Sequence, residues 1–177
     1  MLKPGDVMPY FSGQALMPNG KIEPISLADY RNQWLVVFFW PLDFTFVCPT
    51  EIRGFNQLAG EFDRLRCRLL GASVDSVYAH QAWVQHGLGK IDFPLIGDVD
   101  RSLANGFGIL DDQGVALRAT FIMNPKGIIE SATANALNVG RSAQETLRLV
   151  SAFQTGALTG CEWKPGDAFV EPQRQAA

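Results

Sequence analysis

The chain is short of cysteine, of histidine and of charge of either sign. Cysteine occurs three times in 177 residues, as Cys48, Cys67 and Cys161. So sparse and uneven a set makes neither a disulfide framework nor a zinc site. Of the two histidines, His80 and His86 lack the i, i+4 spacing that a helical metal site uses, and both read as surface residues. A formal net charge of −3 gives no reason to expect nucleic acid or an anionic membrane as partner. Basic residues are scattered except for Arg64-Leu65-Arg66-Cys67-Arg68, which reads as a solvated helix end. The longest apolar run, Trp34 to Pro41, is far too short to span a bilayer. The stretch Met1-Leu2-Lys3-Pro4-Gly5-Asp6 lacks the apolar core of a signal peptide. A reducing cytoplasm is therefore the expected location, and there the thiols stay free unless one works in redox chemistry. Internal repeats, low-complexity blocks, a dinucleotide-binding glycine fingerprint and an interdomain linker are all missing.

What is present is an ordinary globular composition, 47 % hydrophobic and 19 % charged. It suits a single domain over 1–177, with 157–177 as a C-terminal tail. Strand candidates are Tyr10 to Ala15, Ile22 to Ile25, Trp34 to Trp40, Arg68 to Val74 and Phe93 to Gly97. Leu117 to Met123 and Ile128 to Thr133 flank Asn124-Pro125-Lys126-Gly127, a hairpin signal. Helices are expected after Ser26, from Cys48 with a bend or end near Gly60, and after Ser76 until Gly87-Leu88-Gly89. Asp100 and Ser142 cap two more. Strands alternating with helices, then a hairpin, then a helix, argue for an α/β layer fold whose early βαβ unit is parallel and right-handed.

The chemistry concentrates at Trp40-Pro41-Leu42-Asp43-Phe44-Thr45-Phe46-Val47-Cys48-Pro49-Thr50-Glu51. The run Trp34 to Trp40 reads as a strand buried on both faces. Beyond Cys48, Ile52, Phe55, Leu58, Ala59 and Phe62 recur at helical spacing, and Pro49 suits a first helical turn. Cys48 therefore sits where a buried strand hands over to a helix N-terminus. Unpaired N–H groups and the helix dipole favour an anion there, and a thiolate is one. Thr45, three residues upstream, offers a hydroxyl to the sulfur or to a substrate oxygen. The competing reading is a small buried hydrophobe, the commonest fate of a free cysteine. That is the reading preferred for Cys67, while Trp83 reads as core or interface.

Pro41-x-x-x-Thr45-x-x-Cys48-Pro49 resembles the active-site signature of the peroxiredoxins, and Asp43 to Glu51 resembles the typical 2-Cys, alkyl-hydroperoxide-reductase-like branch. Ala72-Ser73-Val74-Asp75-Ser76, Arg118-Ala119-Thr120-Phe121-Ile122, Val139-Gly140-Arg141 and Trp163-Lys164-Pro165-Gly166 extend the likeness from about Pro4 to Val170. It implies a thioredoxin-like fold with a central mixed β-sheet flanked by helices. The thioredoxin Cys-x-x-Cys is absent, because Glu51 stands where its second cysteine would be.

The resemblance implies a thiol peroxidase for hydrogen peroxide and organic hydroperoxides, an antioxidant enzyme of cell redox homeostasis. It makes Cys48 the attacking thiolate and places Arg118 beside the sulfur. Thr45 and Arg118 orient the peroxide, Glu51 and Arg141 support the hydrogen-bond network, and Pro41 shields the pocket. The sulfenic acid left on Cys48 is resolved by Cys161 of a partner subunit. The resulting disulfide is reopened by a thioredoxin-like or flavoprotein disulfide reductase. No metal or organic cofactor is required. The implied assembly is a homodimer, or a decameric ring of such dimers. The chain departs from the pattern at Thr159, which takes the usual place of the resolving cysteine, so that Cys161 stands two residues before Trp163. Some relatives carry a second cysteine at this nearer position. A second departure is His86, in place of the first glycine of a Gly-Gly-Leu-Gly segment, in a tail-and-helix context without the Tyr-Phe helix of peroxide-sensitive members. It implies resistance to overoxidation. Two other readings stay open: a one-cysteine peroxidase resolved by an outside thiol, and a redox-switched chaperone or scaffold.

Overall fold

The computed structural model describes residues 1–172; the end of the expected tail, 173–177, lies outside the described residues. Seven strands form one sheet: β1 (Ser12–Leu16), β2 (Ile22–Ser26), β3 (Trp34–Phe39), β4 (Cys67–Ser73), β5 (Leu95–Gly97), β6 (Arg118–Met123) and β7 (Ile129–Asn135). Their order is β2-β1-β5-β4-β3-β6-β7. β3, β4 and β5 are mutually parallel, and the remaining pairings are antiparallel. Each strand lies where the apolar runs put it. The β6–β7 hairpin turns at Asn124, whose side-chain oxygen accepts from the amides of Lys126 and Ile128.

The helices are α1 (Cys48–Gln57), α2 (Ala59–Arg64), α3 (Val77–Trp83), α4 (Ser102–Gly106) and α5 (Ala143–Thr155). The helix from Cys48 breaks at Leu58 rather than Gly60, and the break turns Phe62 back toward Phe55, ring centroids 6.3 Å apart. Ser76 and Ser142 accept the amides of Ala79 and Glu145, as cap residues do. At α4 the cap differs from expectation. Asp100 accepts only from Ser102, while the buried Asp98 carboxylate takes the amides of Leu103 and Ala104, both at 2.8 Å.

β3 lies at the centre, flanked by β4 and β6, and Leu35 through Phe39 are fully buried. Its side chains alternate between two cores. Val37 and Phe39 join Leu70, Phe107 and Phe121 on one face. Val36 and Phe38 join Trp40, Ile52, Phe55, Leu147 and Val150 on the other, which is the face that α1 and α5 cover. Gly71 in β4 lets this second core close: a Cβ there would stand 2.8 Å from the Trp40 ring and 3.0 Å from Leu95. Among the described residues no helix is long and apolar enough to cross a membrane.

Candidate active site

Between β3 and α1 the chain does not pass straight from strand to helix. The strand ends at Phe39, and residues 40–47 form a loop before Cys48 opens α1. Three stretches converge on that cysteine: this loop with the first turn of α1, the first residue of β6, and the connection from β7 to α5. Cys48 is fully buried. The Thr45 hydroxyl lies 2.8 Å from its sulfur and the Arg118 Nη1 3.3 Å from it. The same hydroxyl is 3.0 Å from the Leu42 carbonyl. One O–H proton serves one acceptor at a time, so it turns to Leu42 when the sulfur carries hydrogen and to the sulfur when it is a thiolate.

Arg118 is held at three points. Its Nη1 also donates to Glu51 Oε2 at 2.6 Å, and its Nε donates to the Leu137 carbonyl at 2.7 Å. Glu51, one turn into α1, binds Arg141 as well: its Oε1 accepts from the Arg141 amide and Nε, both at 2.8 Å. Arg141 Nη1 reaches Ala119 O and Thr120 Oγ1, and its guanidinium lies 5.8 Å from the centre of the Phe38 ring. Burial by itself would raise the Glu51 carboxyl; the hydrogen bonds and charge of Arg141, with the charge of Arg118, outweigh it and hold Glu51 below the usual carboxylate range. The side chains of Arg118 and Arg141 are 5 % exposed and that of Glu51 1 %. Two buried cations thus face one buried carboxylate. Among the described residues that leaves one positive charge beside the Cys48 sulfur without a buried anionic partner, and buried ions require such compensation.

The loop itself is braced from below by residues that sequence reading missed. Asp43 is buried; its carboxylate accepts from Trp40 Nε1 at 2.8 Å and meets His80 Nδ1 at 2.7 Å, while His80 Nε2 faces the Ile96 carbonyl at 3.2 Å. His80, expected at the surface, is instead fully buried on the inner side of α3. His86 is exposed, as expected. Asp75 accepts the Asp43 amide at 2.8 Å and the Ser73 hydroxyl at 2.7 Å. This network holds Phe44 at φ +56°, a left-handed conformation that bulky residues avoid, with its ring against Trp83. Pro41 is buried at the head of the loop.

The other two thiols stand apart. Cys67 begins β4 and is buried, and burial pushes its thiol up to about 12. Among the described residues no cation is bonded to it. Cys161 is exposed on the turn Gly160–Trp163 beyond α5, and all three cysteines are free. Trp163 anchors that turn: it is buried, stacks on Phe169, and its carbonyl accepts from Arg148 Nη1 at 2.9 Å.

A mixed sheet of this order flanked by helices is a thioredoxin-like fold, and here a buried thiol opens a helix beside an arginine. The profile of the AhpC/TSA family matches residues 4–132. Curated relatives include peroxiredoxin-1 of Gallus gallus, 46 % identical over 97 % of this chain and 91 % of its own length. Peroxiredoxin-2 of Rattus norvegicus is 45 % identical over 95 % of this chain and 89 % of its own length. Among solved structures, the reduced 2-Cys peroxiredoxin of Plasmodium vivax superposes with a TM-score of 0.92 at 31 % identity, covering 96 % of this chain and 93 % of that one. AhpC of Mycobacterium tuberculosis gives 0.85 at 37 % identity, covering 93 % and 99 %. The chain belongs to the AhpC/TSA family and is a peroxiredoxin-type thiol peroxidase.

Proposed function

We propose that Cys48 is the thiol that reduces the peroxide and that Cys161 of a second copy resolves it. One observation carries the first half: the Cys48 sulfur is buried at the start of α1 within reach of both the Thr45 hydroxyl and the Arg118 guanidinium. The thiolate attacks the terminal peroxide oxygen, the O–O bond breaks, and the departing alkoxide or hydroxide takes a proton and leaves as alcohol or water. Cys48 becomes a sulfenic acid. Thr45 and Arg118 hold the two oxygens in line and stabilise the charge that develops as they separate. Glu51 and Arg141 position Arg118, and Pro41 shields the pocket.

The thiol of Cys161 then displaces water from the sulfenic acid, and a disulfide joins the two cysteines. Exposure of Cys161 supports this role, since it is the one thiol that another molecule can reach without opening the core. A thioredoxin-like protein or a flavoprotein disulfide reductase returns both thiols. Two features support self-association as a dimer, or as a ring of dimers. Beyond Ile129, whose amide and carbonyl the N-terminal segment covers, the outer edge of β7 is open among the described residues. Leu42, Phe44, Phe46 and Tyr78 present exposed apolar side chains near the site. Three free thiols suit a reducing cytoplasm.

The test is one equivalent of hydrogen peroxide on the reduced protein, followed by intact mass and a non-reducing gel. A covalent dimer through Cys48 and Cys161 is the expected product. A monomer oxidised at Cys48 would move resolution to an outside thiol. Absence of rapid change at Cys48 would remove that residue from the chemistry.

A further inference from the structure

The parallel strands of the sheet have two ends. Cys48 follows the C-terminal end of β3. At the opposite end, about 20 Å away by the rise of a strand of this length, lies a cleft of about 690 Å³, the size of a small-molecule site. Gln33 just before β3, Leu69 of β4 and Pro94 just before β5 line it. Met17, Pro18, Pro24, Ala59 and Phe93 add apolar surface. Four carboxylates stand around this lining, each on a different part of the fold: Glu23 on β2, Asp29 on the turn Leu27–Tyr30, Asp63 on α2 and Asp92 ahead of β5. Among the described residues that line the cleft, Arg68 is the one cation, and it is already engaged by Asp63 at 3.0 Å and Gln33 at 2.9 Å. Lys90 pairs with Asp92 from outside, at 2.8 Å. Even with Lys90 counted, the carboxylates outnumber the cations.

An acidic rim alone is ordinary; Tyr30 makes this one different. It is 7 % exposed, with its ring beside that of Phe11, centroids 6.3 Å apart. A buried phenol normally finds a partner for its hydroxyl. The Tyr30 hydroxyl has no hydrogen bond among the described residues, yet the one fully enclosed side-chain polar atom without a partner is Arg141 Nη2. The hydroxyl is therefore not sealed in, and opens onto space that a ligand can enter. The two charges that act on the phenol, Asp29 and Arg68, both line the cleft, which identifies that space. Burial, and after it the Asp29 carboxylate, push the phenol up to about 12 against the opposing pull of Arg68. At neutral pH it is an uncharged hydroxyl whose oxygen accepts from a cationic N–H. The acids do not gather on one point: among the described residues no three acidic, histidine or cysteine side chains come together as metal ligands. Carboxylates spread around an apolar surface suit a ligand that carries several cationic centres on an apolar chain.

We propose that this cleft binds an aliphatic polyamine, with its ammonium groups on Glu23, Asp29 and Asp92, its methylene chain over Phe93 and the prolines, and one N–H on the Tyr30 hydroxyl. No covalent bond forms or breaks. The site lies at the far end of the sheet from Cys48 and does not rest on the residue roles assigned to the peroxidase reaction.

The probe is spermidine, titrated calorimetrically into the full chain at physiological ionic strength, where diffuse surface attraction is screened. One site per chain is expected. Tyr30→Phe removes an oxygen that has no protein partner, so the fold should hold while the affinity falls by about tenfold. Glu23→Gln, at the rim, should weaken binding by roughly threefold. A neutral aliphatic diol of similar length should not compete. Methyl-labelled methionine NMR places the ligand: the Met17 signal should shift to saturation with spermidine, while those of Met8 and Met123, which do not line the cleft, stay. Parent-like binding by Tyr30→Phe would overturn the proposal, and so would a Met17 signal that does not move. Several weak sites that fade with salt and ignore both substitutions would also overturn it, leaving only the general attraction of a polycation for an acidic protein. Should Tyr30→Phe fail to fold, Glu23→Gln and the Met17 signal decide the matter: unchanged affinity in the one or silence in the other would end it.

Discussion

Cys48 and Cys67 are both shut away from solvent, at 0 % and 1 % exposure, and both pack into the same apolar core. What surrounds each sulfur differs. Cys48 opens a helix, with a hydroxyl at 2.8 Å and a guanidinium at 3.3 Å. Cys67 opens a strand, and its thiol makes a long contact of 3.7 Å with its neighbour's carbonyl. Burial is thus common to the two, and any difference in reactivity between them must come from what else surrounds each sulfur. For Cys67 burial outweighs a backbone contact at Val36 and pushes the thiol up to about 12, which leaves it inert at neutral pH. For Cys48 burial comes with an unbalanced positive charge. The same desolvation that silences one thiol strengthens the attraction between the other and its arginine.

The sharpest way to break this comparison is to remove the two sulfurs one at a time. Cys48→Ser should abolish peroxide consumption, a fall of at least about a thousandfold, because a serine hydroxyl is a poor nucleophile at neutral pH. Cys67→Ala should leave the second-order rate within about twofold and cost instead about 1 kcal/mol of stability through a small cavity. Competition kinetics with a peroxide-consuming reporter would measure both. Equal losses from the two substitutions would mean that Cys67 takes part in the chemistry.

Next in size is the cation. Arg118→Ala removes a donor to the sulfur and an anchor of Glu51, and the rate with hydrogen peroxide should fall by roughly a hundredfold to a thousandfold. Arg118→Lys restores charge but not the three-point hold on Cys48, Glu51 and Leu137, so rescue should be partial. Full rescue by lysine would show that charge alone is needed and that the fork geometry is incidental.

The third test turns from rate to stability. Glu51→Gln leaves Arg118 and Arg141 buried without their shared carboxylate, which should cost about 3–5 kcal/mol. The pH dependence carries the sign. Glu51 is held below its ordinary value in the folded protein, so its contribution is complete above the ordinary carboxylate range and is lost as pH falls through that range toward the depressed folded value. Urea midpoints should therefore fall on acidification in the parent and flatten over that window in Glu51→Gln. An unchanged acid limb would show that another carboxylate sets it.

The strands were legible because each is an apolar run between turn residues, and the helix at Cys48 was legible from Pro49 and the spacing of Ile52 and Phe55. Thr45, Cys48 and Glu51 lie within one loop and one helical turn, so their proximity follows from local geometry. Arg118 and Arg141 lie 70 residues from Cys48 and 90 from Glu51 respectively, and spacing is silent over such distances; they came from family likeness. The Leu137 carbonyl that holds Arg118 was invisible, since backbone atoms leave no mark on a sequence. The helix at Ser102 was assigned to the nearer Asp100, because nothing local separates a solvent-facing aspartate from Asp98, which the fold buries. His80 was misplaced for the same reason: its partner Asp43 is 37 residues away, and a histidine on a polar-looking helix gives no sign of that pairing.

That histidine carries the smallest expected effect, and it asks how far from the sulfur the contrast between the two cysteines originates. Cys67 needs no support beyond its strand. The hydroxyl that serves Cys48 belongs to a loop with Phe44 at φ +56°, and such a conformation persists only where its surroundings over-determine it. His80 meets acceptors at both ring nitrogens, the Asp43 carboxylate and the Ile96 carbonyl, so it ties the loop to β5. His80→Gln cannot reach both. Asp43 would keep Trp40 but lose its second partner, and the loop would gain freedom while Cys48, Thr45 and Arg118 remained in the chain. The rate with hydrogen peroxide should then fall by about tenfold, the scale of a modest loss of alignment, with global stability reduced but the fold intact. Stopped-flow fluorescence from Trp40, which shares the Asp43 carboxylate, would report both the rate and the altered packing. A parent-like rate alongside changed fluorescence would place the origin of reactivity wholly in the sulfur's immediate neighbours, with the buried pair serving stability alone.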